Sequence, residues 1–154
     1  MKVEKDYEEL FKLLNNHKVK YCIIGAYAVA FSARPRYTKD IDILIQPSKE
    51  NSERILKALH DFGFGNLGLS SSDFCSAGKI IQLGYEPVRV DLLTSVQGCS
   101  FERAWKNRVI GMYGEEKVYF IGIDDLIKIK KLSPRPYDKT DVQLLIQAKK
   151  KSKF

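Results

Sequence analysis

The sequence contains few of the residues that build disulfide frameworks and zinc sites. Its three cysteines, Cys22, Cys75 and Cys99, are widely spaced and form no CxxC pair. An odd, scattered set of thiols argues against a disulfide scaffold and is typical of a reducing compartment. The two histidines, His17 and His60, lie far apart in sequence and away from any cysteine pair, which argues against a structural zinc site.

Long apolar runs are also missing. The first ten residues are charged and lack the apolar core of a signal peptide. The longest apolar stretch, residues 21–31, is interrupted by Gly25 and is too short to span a bilayer. We therefore expect a cytoplasmic protein with no membrane contact. Positive charge, in contrast, is abundant: the formal net charge is +7. This balance favours polyanionic partners such as nucleotides or RNA, and simple solubility explains it about equally well.

Chain length and apolar periodicity predict one compact α/β (α+β) unit. The spacing predicts helices over residues 5–17, 26–31, 49–62, 101–105, 124–131 and 138–149. Strands are predicted over residues 19–24, 41–45, 79–83, 88–93, 109–112 and 117–121, the last two as a hairpin. Residues 63–78, rich in Gly and Ser, are predicted to form a loop or a weak strand. We expect a mixed, mainly antiparallel twisted sheet with flanking helices, in which residues 1–122 form the core and residues 123–154 a C-terminal helical extension.

Two carboxylates stand two residues apart in the segment Thr38-Lys39-Asp40-Ile41-Asp42. Because alternate side chains of a strand share a face, Asp40 and Asp42 are expected to project from the same side. Two like charges beside a hydrophobic strand are costly unless a counter-ion binds them. A hard divalent cation with oxygen ligands meets that need, and such cations neutralise nucleotide phosphates. The alternative is an exposed edge strand with two solvated aspartates, and on this pattern alone we favour it.

Asp91 adds a third carboxylate, in the predicted buried strand over residues 88–93. A buried aspartate requires a partner. If its strand neighbours that of Asp40 and Asp42, three carboxylates converge, which is a geometry that holds two Mg²⁺ ions about 3.5–4 Å apart. Asp91 would then also be placed to act as general base for an attacking hydroxyl. A strand-end aspartate that faces water is the competing interpretation.

The segment Ile24-Gly25-Ala26 places a glycine between a predicted strand and a predicted helix. Glycine allows a phosphate to approach the backbone closely. The N-terminus of a helix offers unpaired N–H groups and a positive dipole end to the same phosphate. A tight turn required only for packing is the alternative.

Together these segments resemble the DNA polymerase beta-like nucleotidyltransferase superfamily, in particular its AbiEii-like and minimal nucleotidyltransferase branches. The resemblance rests on Gly25-Ala26, on Arg36-Tyr37-Thr38-Lys39-Asp40-Ile41-Asp42 and on Val90-Asp91. The C-terminal run of Lys130, Arg135-Pro136-Tyr137-Asp138 and Asp141 resembles the AbiEii-like pattern. Two positions depart from the family: Ala26 stands where Ser or Gly is usual, and Tyr137 where Lys is common.

The resemblance implies a role for each candidate residue. The metal ligands would be Asp40, Asp42 and Asp91, with Asp91 also the base. The nucleotide would be bound or positioned by Gly25, Ala26, Arg36, Thr38 and Lys130. For Arg36 and Lys130, a solvated basic face is the alternative. For Arg135, Asp138 and Asp141 we prefer a structural interpretation, in which they form a salt-bridged helix start.

The activity implied by the resemblance is magnesium-dependent transfer of a nucleotidyl group from an NTP to a hydroxyl acceptor. The acceptor is left open between an RNA 3′ end such as that of tRNA, a small molecule such as an aminoglycoside or lincosamide antibiotic, and a protein side chain. The implied branch indicates a toxin–antitoxin or phage-defence setting, and oligomerisation or a partner subunit is compatible with so short a chain. The rival hypotheses are a non-catalytic nucleotide- or RNA-binding module and a partner subunit that retains the fold.

Overall fold

The computed structural model describes residues 3–33, 38–86 and 88–152. Its helices are α1 (Lys5–Asn16), α2 (Gly25–Ser32), α3 (Lys49–Leu59), α4 (Phe101–Lys106), α5 (Ile123–Lys131) and α6 (Pro136–Lys151). Its strands are β1 (Tyr21–Ile24), β2 (Asp40–Ile45), β3 (Ile80–Leu83), β4 (Arg89–Leu93), β5 (Val109–Tyr113) and β6 (Glu116–Phe120). Within these ranges, no helix combines the length and apolar character needed to cross a membrane.

The strands form one mixed sheet in the order β3-β4-β2-β1-β6-β5. Neighbours β1 and β2, β3 and β4, and β5 and β6 pair antiparallel, whereas β2 and β4, and β1 and β6, pair parallel. The predicted hairpin of the last two strands is therefore present. Together with the helices packed around the sheet, this arrangement confirms the predicted mixed, mainly antiparallel architecture.

The sheet is covered by helices whose apolar residues recur at helical spacing. In α1 the buried residues are Tyr7, Leu10, Phe11 and Leu14, and this face packs towards α3 and β6. Helix α2 packs against β1 and β2, and α5 and α6, which contact each other, pack against α2. Full burial of each large apolar side chain contributes about 1.5–3 kcal/mol. The central strands β1 and β2 are consequently held between packed layers, which fixes the position of the residues at their ends.

The segment over residues 63–78 forms no strand in the structure. After α3 the chain makes a wide turn, His60–Phe64, in which Gly63 has a φ of +104°. A short 3-10 turn, Ser71–Phe74, follows and is closed by a capping box between Ser70 and Asp73. Its last residue, Phe74, is fully buried in the core. The segment is thus an anchored loop, and Phe74 is its anchor.

Candidate active site

The three predicted carboxylates meet on one face of the sheet. Strands β2 and β4 run parallel as neighbours, in a register that pairs Asp42 with Asp91. Each of Asp40, Asp42 and Asp91 offers an oxygen atom that lies within 4.8 Å of the others. We call these three residues the acidic triad. The period-2 reasoning correctly places Asp40 and Asp42 on one face, and the parallel register adds the third carboxylate.

The electrostatics of the acidic triad are dominated by burial and mutual repulsion. Burial raises the pKa of Asp42 from 3.8 to about 7, and the neighbouring charges of Asp40 and Asp91 act in the same direction. Within the described part of the chain, no hydrogen bond reaches the Asp42 carboxylate. Opposing this, the positive charges of Lys130 and Arg135 lower its pKa. The centre therefore has an excess of negative charge that calls for a cation.

Arg89 is a member of this site that the sequence interpretation missed. Its Nε lies 3.0 Å from Asp91 Oδ1, and its terminal Nη2 lies 3.1 Å from Asp91 Oδ2 and 3.0 Å from Asp40 Oδ2. The guanidinium thus bridges two members of the acidic triad. The signal was present in the sequence, because Arg89 precedes Asp91 by two residues in a strand and must share its face. In the neighbouring strand β2, Asp40 is paired with Arg89 and lies directly opposite it.

Gly25 stands where only glycine fits. It opens α2 directly after β1 with a φ of +72°, in the left-handed region that favours glycine. A Cβ placed on Gly25 would also collide with Asp42 Oδ2. The first turn of α2, which includes the half-buried Ala26, therefore begins in direct contact with the acidic triad. The N-terminus of α2 is suited to receive an anionic group there.

Thr38 and Arg36, just before β2, were predicted to bind or position the nucleotide. The Thr38 hydroxyl lies 3.1 Å from Asp40 Oδ1 and 3.0 Å from the Asp40 carbonyl oxygen. This hydroxyl can therefore orient the first carboxylate of the acidic triad. Arg36 lies outside the described residues.

Lys130 is buried in an ion-pair cluster formed by α5 and α6. Its Nζ lies 2.8 Å from Asp138 Oδ1 and 3.2 Å from Asp141 Oδ2, and its side chain is only 6% exposed. The alternative of a solvated basic face is therefore wrong for Lys130. Arg135 Nε adds a further contact, 2.9 Å from Asp138 Oδ2. Burial tends to raise the pKa of Asp138, but hydrogen bonds from the two cations and from Ser133 outweigh it and lower the pKa to about 2.

A cavity of about 420 Å³ connects these features. Among the described residues, it is lined by the acidic triad, Gly25 and the cationic side chains of Arg89, Lys130 and Arg135. Its aliphatic lining comes from Ile24, Ile80, Leu93, Val96, Ile129 and Leu132. The cavity is large enough for a small molecule, since ligand sites typically occupy about 300–1,000 Å³.

The donor set of the acidic triad fits a hard divalent cation. Carboxylate oxygens are the ligands that Mg²⁺ prefers, and it commonly binds through one or two carboxylates and the phosphates of a substrate. The half-buried Asp42 carboxylate, which receives no hydrogen bond from the described residues and is repelled by Asp40 and Asp91, has the unmet demand for positive charge that such an ion satisfies. The residues present are therefore suited to hold the ion.

Comparisons with known proteins identify a family that covers nearly the whole chain. Residues 1–148 match the model of a family described as "Nucleotidyltransferase of unknown function (DUF6036)". No curated protein matches the sequence. Among solved structures, the chain is similar to the lincosamide antibiotic adenylyltransferase LnuA in its lincomycin-bound form, with a TM-score of 0.57 and 17% identity over 94% of this chain and 97% of that one. At this identity the likeness concerns the fold, and it confirms the predicted nucleotidyltransferase fold.

Proposed function

Because this chain belongs to that family of nucleotidyltransferases, we propose that it moves a nucleotidyl group from an NTP to a hydroxyl acceptor at the acidic triad. The predicted enzyme class, a nucleotidyltransferase, agrees with the family match. The observation that carries the proposed site is the convergence of Asp40, Asp42 and Asp91 beside the Gly25 turn. A binding module without catalysis would not need three mutually repelling carboxylates at this position.

In the proposed reaction, each part of the cavity has a separate task. The N-terminus of α2 at Gly25, together with the nearby charge of Arg135, binds the triphosphate. The acceptor hydroxyl attacks the α-phosphorus, so that a new P–O bond forms while the bond to the bridging oxygen breaks and pyrophosphate leaves with that electron pair. Asp91 accepts the proton of the hydroxyl. The rate gain comes mainly from positioning and charge stabilisation.

The metal ligands we propose are Asp40, Asp42 and Asp91, and the proposed metal is Mg²⁺, with two ions. When bound, the ions supply the positive charge that neutralises the phosphates during an in-line displacement. Thr38 holds Asp40 in place for this task, and Ala26 contributes its backbone N–H to the phosphate site. Lys130 acts through the cluster with Asp138 and Asp141, which places Arg135 at the rim of the cavity.

The acceptor and the biological setting form the finer part of the proposal. The AbiEii-like C-terminal run favours a toxin–antitoxin setting with an RNA 3′ end as acceptor. A small-molecule hydroxyl is favoured by the modest size of the cavity and by its lining, which contains no aromatic side chain among the described residues. Single-stranded RNA is usually bound by stacking of its bases on aromatic rings. We therefore place the small molecule first and keep RNA as an outcome of the assay.

The test is a transfer assay with all four α-³²P-labelled NTPs, Mg²⁺, total RNA and a panel of hydroxyl-bearing small molecules. We expect label to appear on one acceptor class with the unmodified chain and to disappear with Asp42→Asn. Asp6→Asn, at an exposed position of α1, is the matched control and should retain full transfer. Label transfer that survives Asp42→Asn would disprove the assignment of the site.

A further inference from the structure

The cavity that contains the acidic triad is divided into a charged side and an aliphatic side. The charged side holds Gly25 and lies under the influence of Lys130 and Arg135, whose positive charges act on Asp42. The aliphatic side is lined by Ile80, Leu93, Val96 and Leu132, which we call the aliphatic shelf. The reaction requires two substrates in one cavity, and these two sides differ in the chemistry they can bind.

The aliphatic shelf is exposed to an unusual degree for side chains of its kind. Ile80 is 61% exposed and Leu132 is 51% exposed, although both lie beside a buried core. Ile80 belongs to β3, which is an edge strand of the sheet, so the shelf opens outward. Exposed apolar surface inside a cavity that also contains converging polar groups is typical of a ligand site.

Strand register places Ile80 of the aliphatic shelf across Asp91 from the strand that leads into Gly25, and Leu93 two residues beyond Asp91 on the same strand. Across the sheet, Gln82 pairs with Asp91, Asp91 with Asp42, and Asp42 with the residue before Gly25. Ile80 and Leu93 form the neighbouring pair, two residues along each strand. Two residues correspond to roughly 7 Å along a strand. A small molecule that rests on Ile80 and Leu93 therefore reaches the acidic triad from the β3 edge of the sheet, away from Gly25.

Polar groups at the rim of the shelf complete the recognition chemistry. The side-chain amides of Gln82 and Gln97 line the same cavity and are exposed. An amide can both donate to and accept from hydroxyl groups. The combination of two amides with four aliphatic side chains matches a ligand that has hydroxyls on one part and a hydrocarbon on the other.

We propose that the aliphatic shelf is the acceptor subsite and that it selects a small amphipathic polyol, whose alkyl part contacts Ile80 and Leu132 while a hydroxyl is presented to Asp91. This inference rests on the proposed function, because it names the class of acceptor for the same reaction. It assigns the charged side of the cavity to the NTP and the aliphatic side to the acceptor. RNA, which lacks an alkyl group, is not the acceptor in this proposal.

The experiment measures binding of two probes to the full chain by saturation-transfer NMR and titration: n-hexyl β-D-glucopyranoside and methyl β-D-glucopyranoside. We expect the hexyl glucoside to bind at least about tenfold more tightly, since even small changes of apolar contact in a pocket alter affinity by about tenfold or more. Ile80→Ser and Leu132→Ser should each remove this preference. Ile110→Ser is the matched control, because Ile110 is 55% exposed on the other edge strand, β5, and does not line the cavity.

A second measurement separates failure of the shelf from failure of the proposed function. Binding of the non-hydrolysable nucleotide α,β-methylene-ATP with Mn²⁺ should be the same for the unmodified chain, Ile80→Ser and Leu132→Ser. If these variants lose nucleotide binding, the shelf holds the nucleobase and the acceptor assignment is wrong, while nucleotidyl transfer stands. Equal binding of the two glucosides would also overturn the assignment. So would a transfer assay in which single-stranded RNA is labelled equally by the unmodified chain and by Ile80→Ser.

Discussion

Replacing Lys130 with methionine is expected to lower the free energy of unfolding by about 3–5 kcal/mol, the usual cost of removing one partner of a buried ion pair. The structure explains the size of the effect, because Asp138 and Asp141 are 2% and 1% exposed and both face the Lys130 ammonium. Methionine preserves the apolar stem but leaves these carboxylates without their central cation. For a chain of this length the loss corresponds to a fall of about 10 °C in the melting temperature.

The pH dependence of this effect follows from the pKa of Asp138. Hydrogen bonds lower that pKa from 3.8 to about 2 in the folded protein, despite the opposing effect of burial. A lowered folded-state pKa stabilises the fold above the unfolded value, and the contribution disappears as the pH falls towards 2. The difference between the unmodified chain and Lys130→Met should therefore be largest near pH 7 and should shrink below pH 4.

Urea unfolding followed by the fluorescence of the single tryptophan, Trp105, measures this difference. Lys131→Met is the matched control, because Lys131 is the exposed neighbour on the same helix, and it should change the unfolding free energy by less than about 0.5 kcal/mol. If Lys130→Met were as stable as this control at pH 7, the ion-pair cluster would not hold α5 and α6 together, and Lys130 would have to act as a solvated ligand instead.

Three further predictions concern the acidic triad. Arg89→Met should raise the affinity for Mn²⁺ by roughly tenfold, because the guanidinium bridge to Asp40 and Asp91 competes with the ion and a hydrogen bond to a charged group is worth about 1.5–3 kcal/mol. Weaker Mn²⁺ binding in calorimetry would show that Arg89 instead orients the ligands. Asp42→Asn should stabilise the metal-free protein at pH 8 by on the order of 2–4 kcal/mol. The pKa of Asp42 is raised from 3.8 to about 7 in the folded protein, so the protonated carboxyl stabilises the fold at low pH and this contribution is lost as the pH rises through about 7. Asparagine carries no charge at pH 8 and avoids the loss. A gain in stability that persists unchanged at pH 4 would contradict this. Gly25→Ala should cost at least about 1–2 kcal/mol, from the left-handed φ and the collision with Asp42. In the same urea titration Gly63→Ala, at a φ of +104° but with open space for a Cβ, should carry the backbone strain without a collision.

The secondary structure and the triad could be predicted because they depend on local periodicity. The alternation of Asp40 and Asp42 with buried isoleucines determines the face of both carboxylates, and the same rule, applied to Arg89 and Asp91, would have found the guanidinium that bridges the site. The parallel pairing of β2 with β4 was only a hypothesis in the sequence, since neighbouring strands of a parallel pair are joined by a long crossover. The position of Asp91 in the acidic triad depends on that pairing.

Other features depend on distant partners and left no local signal. Lys130 stands among other lysines in α5 and reads as a solvated cation, but Asp138 and Asp141 of α6 bury it. Phe74 lies in a Ser- and Gly-rich segment that has no periodicity, yet it is fully buried. The aliphatic shelf combines residues from β3, β4, the following loop and the end of α5, which only the tertiary fold brings together.

Transfer of a nucleotidyl group at the acidic triad is tested most directly by comparing ATP labelled at the α-phosphate with ATP labelled at the γ-phosphate in the same reaction. If the transfer assay shows that another NTP is the preferred donor, that NTP takes the place of ATP. We expect the α label to move to the acceptor, the γ label to be recovered in pyrophosphate, and both events to stop with Asp42→Asn. Recovery of the γ label on the acceptor or as inorganic phosphate, or turnover that is unaffected by Asp42→Asn, would contradict it.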